Sequence, residues 1–217
     1  MIRNYAFENE SRLNIHMSLT TDTTYSSALL TQHEQAIIEN DILGFHFPWY
    51  YISKQTTFIP PADTPEKIKE GTYVNGPFLS HSLLRRTEEE HIKHTDRPID
   101  HFSDGYAEFF FSIFDRWMKS NNKTYHNIFR ANVNCNWYNG EDAITVPHND
   151  HTWHHYNWLM YLTDNPEAPT LVWDYELDAW HEMPAQKYQV SHFKGCYHAH
   201  KYPALHERRV AVVFTYA

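Results

Sequence analysis

Residues 146–155 read Val146-Pro147-His148-Asn149-Asp150-His151-Thr152-Trp153-His154-His155. Within this stretch, His148 and Asp150 are separated by one residue. On a β-strand, side chains two positions apart project to the same side of the sheet, so an imidazole and a carboxylate at this spacing converge on one point. The pair predicts a metal site whose remaining protein ligand comes from another strand.

Composition narrows the classes of protein to which the 217-residue chain can belong. A formal charge of -9, with 18 basic against 27 acidic side chains, makes nucleic acid and an anionic membrane poor partners. There is no apolar run of about 18 residues and no signal-like leader, so we expect a cytoplasmic protein without a membrane span. Cys135 and Cys196 lack the spacing of a disulfide framework or a zinc motif, and we interpret both as reduced thiols.

Hydrophobic periodicity predicts helices first and short strands afterwards. Thr31 and Glu34 fit a capping box before one helix, and the aromatic stripe from Tyr106 to Trp117 predicts another. From Ile128 onward the period changes from 3.6 to 2, which marks the first strand of the C-terminal part, and Pro184 predicts a turn. Further strand candidates are Asn157 to Thr163, Thr170 to Trp173, Lys187 to Phe193 and Arg209 to Tyr216. This order favours a sandwich or a barrel.

The C-terminal part offers several histidines for the missing metal ligand. They are His181, His192, His198, His200 and His206. His198 and His200 are favoured because both follow the Lys194-Gly195 turn, share one face and precede the apolar strand that begins at Arg209. Two histidines and one carboxylate, with other positions open, are typical of non-haem Fe(II) oxygenases. A strand-initial Arg209 can hold the far carboxylate of a dicarboxylic 2-oxo acid in a bidentate pair that lysine cannot form.

Further segments accompany these residues in a fixed order along residues 128–217. They are Tyr138-x-Gly140, Pro147-His148-x-Asp150, Tyr161-Leu162-Thr163, Thr170-Leu171-Val172-Trp173, Phe193-x-Gly195-x-x-His198-Ala199 and Arg209-Val210-Ala211-Val212-Val213-Phe214. Together they resemble the 2-oxoglutarate/Fe(II)-dependent oxygenases, and most of all the short prolyl-hydroxylase-like members common in tailed phages and bacteria. The chain departs from the family at Ala168-Pro169-Thr170, where many members have Gly-Gly-Thr, and at Thr215, where nucleic-acid demethylases have a second arginine.

The resemblance implies a mainly β (α+β) fold, namely a double-stranded β-helix (cupin-like jelly roll) with flanking N-terminal helices. We expect a single domain over 1–217, in which 1–125 contain N-terminal helices and lead-in strands and 126–217 contain the barrel core with the metal site. The implied activity is that of a dioxygenase, which converts 2-oxoglutarate and O2 to succinate and CO2 and hydroxylates a substrate that the sequence does not identify.

The resemblance also assigns roles to individual residues. The implied Fe(II) ligands are His148, Asp150 and His198, whose side chains would carry out catalysis with the metal. His200 is the alternative distal ligand, and Arg209 is the anchor for 2-oxoglutarate. Tyr138 and Asn132, on the polar face of the strand before the His-x-Asp pair, are further candidates for contacts to 2-oxoglutarate.

Two alternatives from other classes stay open. A metal-binding cupin would use the same barrel for non-oxidative chemistry with Zn or Mn, and a four-ligand set that includes His200 would favour it. A non-catalytic jelly-roll binding module is suggested by the aromatic content and small size. A protein side chain and a small metabolite both remain candidate substrates, and the sequence determines neither the oligomeric state nor the roles of His151, His154 and His155.

Overall fold

The structure is a computed structural model that describes residues 22–24, 30–54, 62–84 and 105–217. Its strands are β1 (Asp22–Thr24), β2 (Tyr50–Ile52), β3 (Phe78–Leu84), β4 (Ile128–Trp137), β5 (Tyr156–Tyr161), β6 (Asn165–Asp174), β7 (Ala179–Ala185), β8 (Val190–Lys194), β9 (His198–His200) and β10 (Arg208–Tyr216). Its helices are α1 (Gln32–Ile37), a π-helical turn (Ile38–Ile42), α2 (Glu66–Lys69) and α3 (Tyr106–Ser120). Three further patterns of the sequence lie outside these ranges: the apolar alternation Leu13-Ile15-Met17, which predicts a strand; the charged run from Arg85 to Lys93, which predicts a solvated face; and Ser103 or Asp104, either of which can cap the helix that follows.

The capping box predicted for the first helix is present. The Thr31 hydroxyl accepts a hydrogen bond from the backbone N–H of Glu34 at 3.2 Å, and the Glu34 carboxylate accepts one from the backbone N–H of Thr31 at 2.7 Å. The helix continues as a π-helical turn that buries Ile38 and Ile42. In the ranges that the structure covers, no helix is both long and apolar enough to cross a membrane.

The described strands form two antiparallel sheets. The larger has the order β1-β8-β5-β10-β4-β3-β2, and the smaller has the order β7-β6-β9. Isolated bridges from Ile144 to Lys201 and from His148 to His198 add residues 144–148 beside β9. The two sheets face each other, because buried side chains from both sheets share one apolar cluster that includes Leu159, Val172 and Phe193. This arrangement is a jelly roll, so the fold class predicted from the sequence is confirmed.

Strand β10 lies at the centre of the larger sheet, where it pairs with β4 on one side and β5 on the other. Its alternate side chains have different neighbours, as expected for a strand between two layers. Val210, Val212 and Phe214 belong to the main apolar core, which also includes the buried face of α3. Arg209, Ala211 and Val213 face a cavity between the sheets. The helix therefore supports the outer side of the strand that carries the predicted anion-binding arginine.

The turn predicted around Pro184 lies slightly later in the chain. Strand β7 passes through Pro184 and ends at Ala185, and the turn follows at residues 186–189, where the backbone N–H of Gln189 donates to the carbonyl oxygen of Gln186 at 3.0 Å. Pro184 is tolerated because β7 is the outermost strand of the smaller sheet, where one side of the strand needs no ladder hydrogen bonds. The boundary predicted between 1–125 and 126–217 stays a prediction.

Replacing Phe114 by Ala tests the packing of α3 against β10. The Phe114 ring is fully buried and stacks on Phe214 with ring centroids 4.7 Å apart. We expect the free energy of unfolding, measured by urea denaturation, to fall by about 3–5 kcal/mol because the change leaves a cavity in the core. The matched control is Phe45→Ala, since the Phe45 side chain is wholly exposed; its effect should stay within about 0.5 kcal/mol. Equal losses in the two variants would contradict this description of the core.

Candidate metal centre

His148 and His198 face each other across two antiparallel chain segments. The backbone N–H of His148 donates to the carbonyl oxygen of His198 at 3.0 Å, and that of His198 donates to the carbonyl oxygen of His148 at 2.9 Å. Residues that exchange both hydrogen bonds in this way present their side chains on the same face of a sheet. The two imidazole centroids are accordingly 4.5 Å apart.

Each of these imidazoles is oriented by its own chain segment. His148 Nδ1 lies 3.2 Å from the carbonyl oxygen of Val146, and His198 Nδ1 lies 3.0 Å from that of Cys196. A carbonyl oxygen can only accept, so Nδ1 is protonated in both rings, which leaves Nε2 as the atom that can bind a metal. When one ring nitrogen of a histidine donates to a carbonyl oxygen in this way, the contact fixes the orientation and tautomer in which the other nitrogen binds a metal.

Asp150 completes the group. Its buried carboxylate has one oxygen 3.3 Å from His198 Nε2 and the other 4.0 Å from His148 Nε2. The ligand atoms of the three residues lie within 4.8 Å of one another, and among the residues that the structure describes no other such group occurs. The structure thus brings His148 and Asp150 together with His198, and His200 is not part of the group. This donor set fits one face of an Fe(II) ion with positions left open.

The electrostatics of the group suit a divalent cation. Burial alone would raise the pKa of Asp150, but the Arg130 guanidinium and the two imidazoles hold it well below its usual range. Burial and the neighbouring His198 lower the pKa of His148 to about 4. At neutral pH, Asp150 is therefore ionised and His148 is neutral, which are the forms that coordinate metals.

Arg130 is a member of the site that the sequence did not reveal. Its Nη1 lies 3.0 Å from an Asp150 carboxylate oxygen, and its side chain is 18% exposed. It stands on β4 directly opposite Thr215, the position at which the demethylase branch has its second arginine. The alternation of β4 places Arg130 on the polar face that also carries Asn132, but only the tertiary structure reveals its pairing with Asp150.

Arg209 is buried beneath the smaller sheet and is held by uncharged groups. Its Nε donates to the carbonyl oxygen of Ala168 at 3.0 Å, its Nη2 donates to the Thr170 hydroxyl at 2.7 Å, and its guanidinium lies 5.1 Å from the ring centroid of Tyr161. None of the carboxylates in the described part of the chain forms an ion pair with Arg209. A buried charge without a counter-charge is strongly unfavourable, so this guanidinium marks a site for an anion.

The histidines of the metal group and Arg209 line one cavity of about 120 Å³. Across the ladder between β6 and β9, His198 pairs with Val172 and His200 pairs with Thr170, the residue that contacts Arg209. Measured along β9, the guanidinium therefore lies beside His200, two residues after His198. Two residues of a strand span roughly 7 Å. A small dicarboxylate can span such a separation.

The two further residues predicted to contact 2-oxoglutarate have different surroundings. Asn132 lines the cavity, and its amide nitrogen donates to the Ser80 hydroxyl at 3.3 Å. Tyr138 lies instead beside a surface groove that Tyr202 also lines. Strand β4 ends at Trp137 and the chain turns at Gly140, whose φ is 126°, which directs Tyr138 away from the cavity. A contact between Tyr138 and 2-oxoglutarate stays a prediction that this placement does not support.

The remaining histidines of the 146–155 stretch lie outside the metal group. His151 Nε2 is hydrogen-bonded to the Thr215 hydroxyl at 2.8 Å. Thr215 is the residue that stands where nucleic-acid demethylases have a second arginine. His155 is held by the carbonyl oxygen of Trp153 at 2.9 Å. His154 is exposed. His151 and His155 are therefore each held by a hydrogen bond outside the metal group.

Comparison with solved structures identifies the fold. An oxidoreductase of the 2OG-Fe(II) oxygenase family from Burkholderia pseudomallei superposes with a TM-score of 0.61 at 11% identity, over 91% of this chain and 84% of that chain. This chain has the 2-oxoglutarate/Fe(II) oxygenase fold. The resemblance found in the sequence is thereby confirmed at the level of the fold.

Two further structures are similar over much of their length. A prolyl-4-hydroxylase from Pseudomonas putida has a TM-score of 0.38 at 10% identity, over 84% of this chain and 97% of that chain. A non-heme alpha-ketoglutarate-dependent epimerase of nogalamycin biosynthesis has a TM-score of 0.45 at 10% identity, over 87% of this chain and 74% of that chain. No family model and no curated protein matches the chain.

Replacing Arg130 by Met tests whether this side chain stabilises the Asp150 carboxylate. Without added metal, we expect the free energy of unfolding to fall by about 3 kcal/mol, the lower end for a broken buried pair because Arg130 is partly exposed. Saturating Zn(II) should recover part of this loss, since the cation supplies the missing positive charge. Denaturation curves with EDTA and with Zn(II) measure both effects.

The matched control for this experiment is Arg116→Met. Arg116 forms an ion pair with Glu34 at 2.7 Å, but its side chain is 40% exposed and lies far from the metal group in the chain. Its loss should cost at most about 1 kcal/mol and should not depend on Zn(II). A loss in Arg130→Met that is the same with and without Zn(II) would contradict the role assigned to Arg130.

Proposed function

We propose that this protein is a 2-oxoglutarate- and Fe(II)-dependent dioxygenase that hydroxylates its substrate. The observation that carries the proposal is that both histidines of the His-Asp-His group line the same cavity as Arg209, a buried arginine that forms no ion pair with any carboxylate in the described part of the chain. A metal site alone would fit many cupins. Here an anion site at Arg209 lies beside His200, two residues along β9 from His198. This separation favours a co-substrate that chelates the metal at one end and carries a carboxylate at the other.

In this proposal, His148, Asp150 and His198 hold Fe(II), and Arg209 anchors the far carboxylate of 2-oxoglutarate. Bound together, Fe(II), 2-oxoglutarate and O2 supply the oxidising chemistry, with succinate and CO2 as co-products. The protein contributes geometry. Thr170 and Ala168 fix the guanidinium, the carbonyl oxygens beside the two histidines fix their tautomers, and the two sheets limit the access of water.

The proposed partners are 2-oxoglutarate and a second substrate, either a protein side chain or a small metabolite. Nucleic acid is disfavoured by the acidic charge of -9 and by the use of Thr215 as a partner of His151. Both cysteines are free and buried, which fits the reducing cytoplasm that we propose as the location.

Replacing His148 by Ala tests the metal group. We expect the purified, Fe(II)-loaded wild-type protein to form succinate from 2-oxoglutarate and O2, and His148→Ala to form none because one of three metal ligands is lost. EDTA should abolish the wild-type reaction, and added Fe(II) should restore it. His154→Ala is the matched control, since His154 is exposed and outside the group. Succinate formation that survives in His148→Ala would refute the assigned ligand set.

Replacing Arg209 by Ala tests the anion site. Hydrogen bonds to charged groups contribute about 1.5–3 kcal/mol, so the dissociation constant for 2-oxoglutarate should rise at least tenfold. Calorimetry with Zn(II) in place of Fe(II) measures this constant without turnover. Arg208→Ala is the control, because Arg208 is the exposed neighbour on the same strand. Binding of 2-oxoglutarate that is equal in both variants would show that Arg209 is not the anchor.

A further inference from the structure

His200 presents an unused polar atom in the same cavity. It is one of the residues that line the cavity, and its Nε2 is buried without a hydrogen-bond partner among the residues that the structure describes. Its backbone N–H is satisfied by the Thr145 hydroxyl at 2.9 Å, so the main chain is fixed while the ring nitrogen is not engaged. Buried polar groups are nearly always hydrogen-bonded, and an exception at a cavity wall points to a ligand as the missing partner.

The position of His200 indicates which part of a ligand it meets. It lies two residues beyond His198 on β9, so both imidazoles project from the same face. Directly opposite, on β6, stands Thr170, whose hydroxyl accepts a hydrogen bond from Arg209 at 2.7 Å. The imidazole of His200 is therefore close to the Arg209 guanidinium, in the cavity that both side chains line.

We propose that His200 is a binding residue for 2-oxoglutarate, with its Nε2–H donating a hydrogen bond to the carboxylate that Arg209 anchors. This inference rests on the proposed function. Arg209 supplies the positive charge, and Thr170 and Ala168 already use two of its N–H groups. The imidazole adds a donor on a second strand, which makes the site selective for a 2-oxo acid with a second carboxylate over one that ends in a methyl group.

The test compares His200→Leu, which removes the donor at similar size, with His200→Gln, which keeps an N–H donor. With Zn(II) bound, calorimetry should show 2-oxoglutarate binding at least about tenfold more weakly to the Leu variant, as expected for one lost hydrogen bond to a charged carboxylate. The Gln variant should stay within about twofold of wild type. Zn(II) affinity, measured separately, should be unchanged in both variants, because His200 is not a metal ligand in this assignment.

A second probe makes the effect specific. The acid 2-oxopentanoate has the same chain length but ends in a methyl group, so it should bind more weakly than 2-oxoglutarate. Its dissociation constant should be the same for wild type and for His200→Leu, because it has no second carboxylate for His200 to contact. In wild-type protein with isotope-labelled histidine, addition of 2-oxoglutarate should also shift one imidazole NMR signal that is missing from the spectrum of His200→Gln. This measurement does not depend on the folding of the Leu variant.

Each contrary result has a distinct meaning. If wild type binds 2-oxoglutarate and neither the Leu variant nor the His200 signal responds, the inference is wrong and the proposed function stands. A large loss of Zn(II) affinity in both variants would make His200 a metal ligand and would also overturn the inference. If wild type binds Zn(II) but not 2-oxoglutarate, the proposed function fails, and the inference fails with it.

Discussion

The backbone pairing of His148 with His198 is the constraint on which the site depends. Two hydrogen bonds of 3.0 and 2.9 Å hold the two ligand-bearing segments in register, and β9 is only three residues long. A slip of one residue would turn His198 to the opposite face, because side chains alternate along a strand. Neighbouring bonds oppose such a slip: Thr145 N–H donates to the carbonyl oxygen of His200, and Tyr202 N–H donates to that of Ala143, each at 2.9 Å. The metal group is thus set by main-chain geometry more than by contacts between the side chains themselves.

Strand β10 connects the stability of the fold to the anion site. Its outward side chains, among them Phe214, pack on α3 in the main core, while its inward side chains begin with Arg209. Burying a guanidinium without a counter-ion is unfavourable, and the apolar burial on the other face of the same strand offsets that penalty. The site therefore holds a charge that it would not retain on a poorly packed strand.

The sequence was informative where a pattern is local. His148 and Asp150 are two positions apart, Thr31 and Glu34 form a capping box within one turn, and Arg209 lies near the start of a regular apolar strand. The structure contains the capping box and the strand, and it brings the side chains of His148 and Asp150 close together. The choice between His198 and His200 could not be made from spacing alone, because both project from one face of β9. It depends on register with a segment about fifty residues earlier in the chain. The pairing of Arg130 with Asp150 was missed for the same reason.

The charges around the cavity couple the binding of a divalent cation to the binding of a dicarboxylate. Asp150 is the one ionised carboxylate in the group, against the guanidinium groups of Arg130 and Arg209, so these residues carry a net positive charge before any metal binds. A divalent cation must therefore enter against this excess, and its affinity relies on the imidazoles of His148 and His198 and on the Asp150 carboxylate. Once bound, it raises the positive charge further, which strengthens the attraction of a dianion to the same cavity. Because such coupling is reciprocal, a dicarboxylate in the cavity must in turn increase the affinity for the metal.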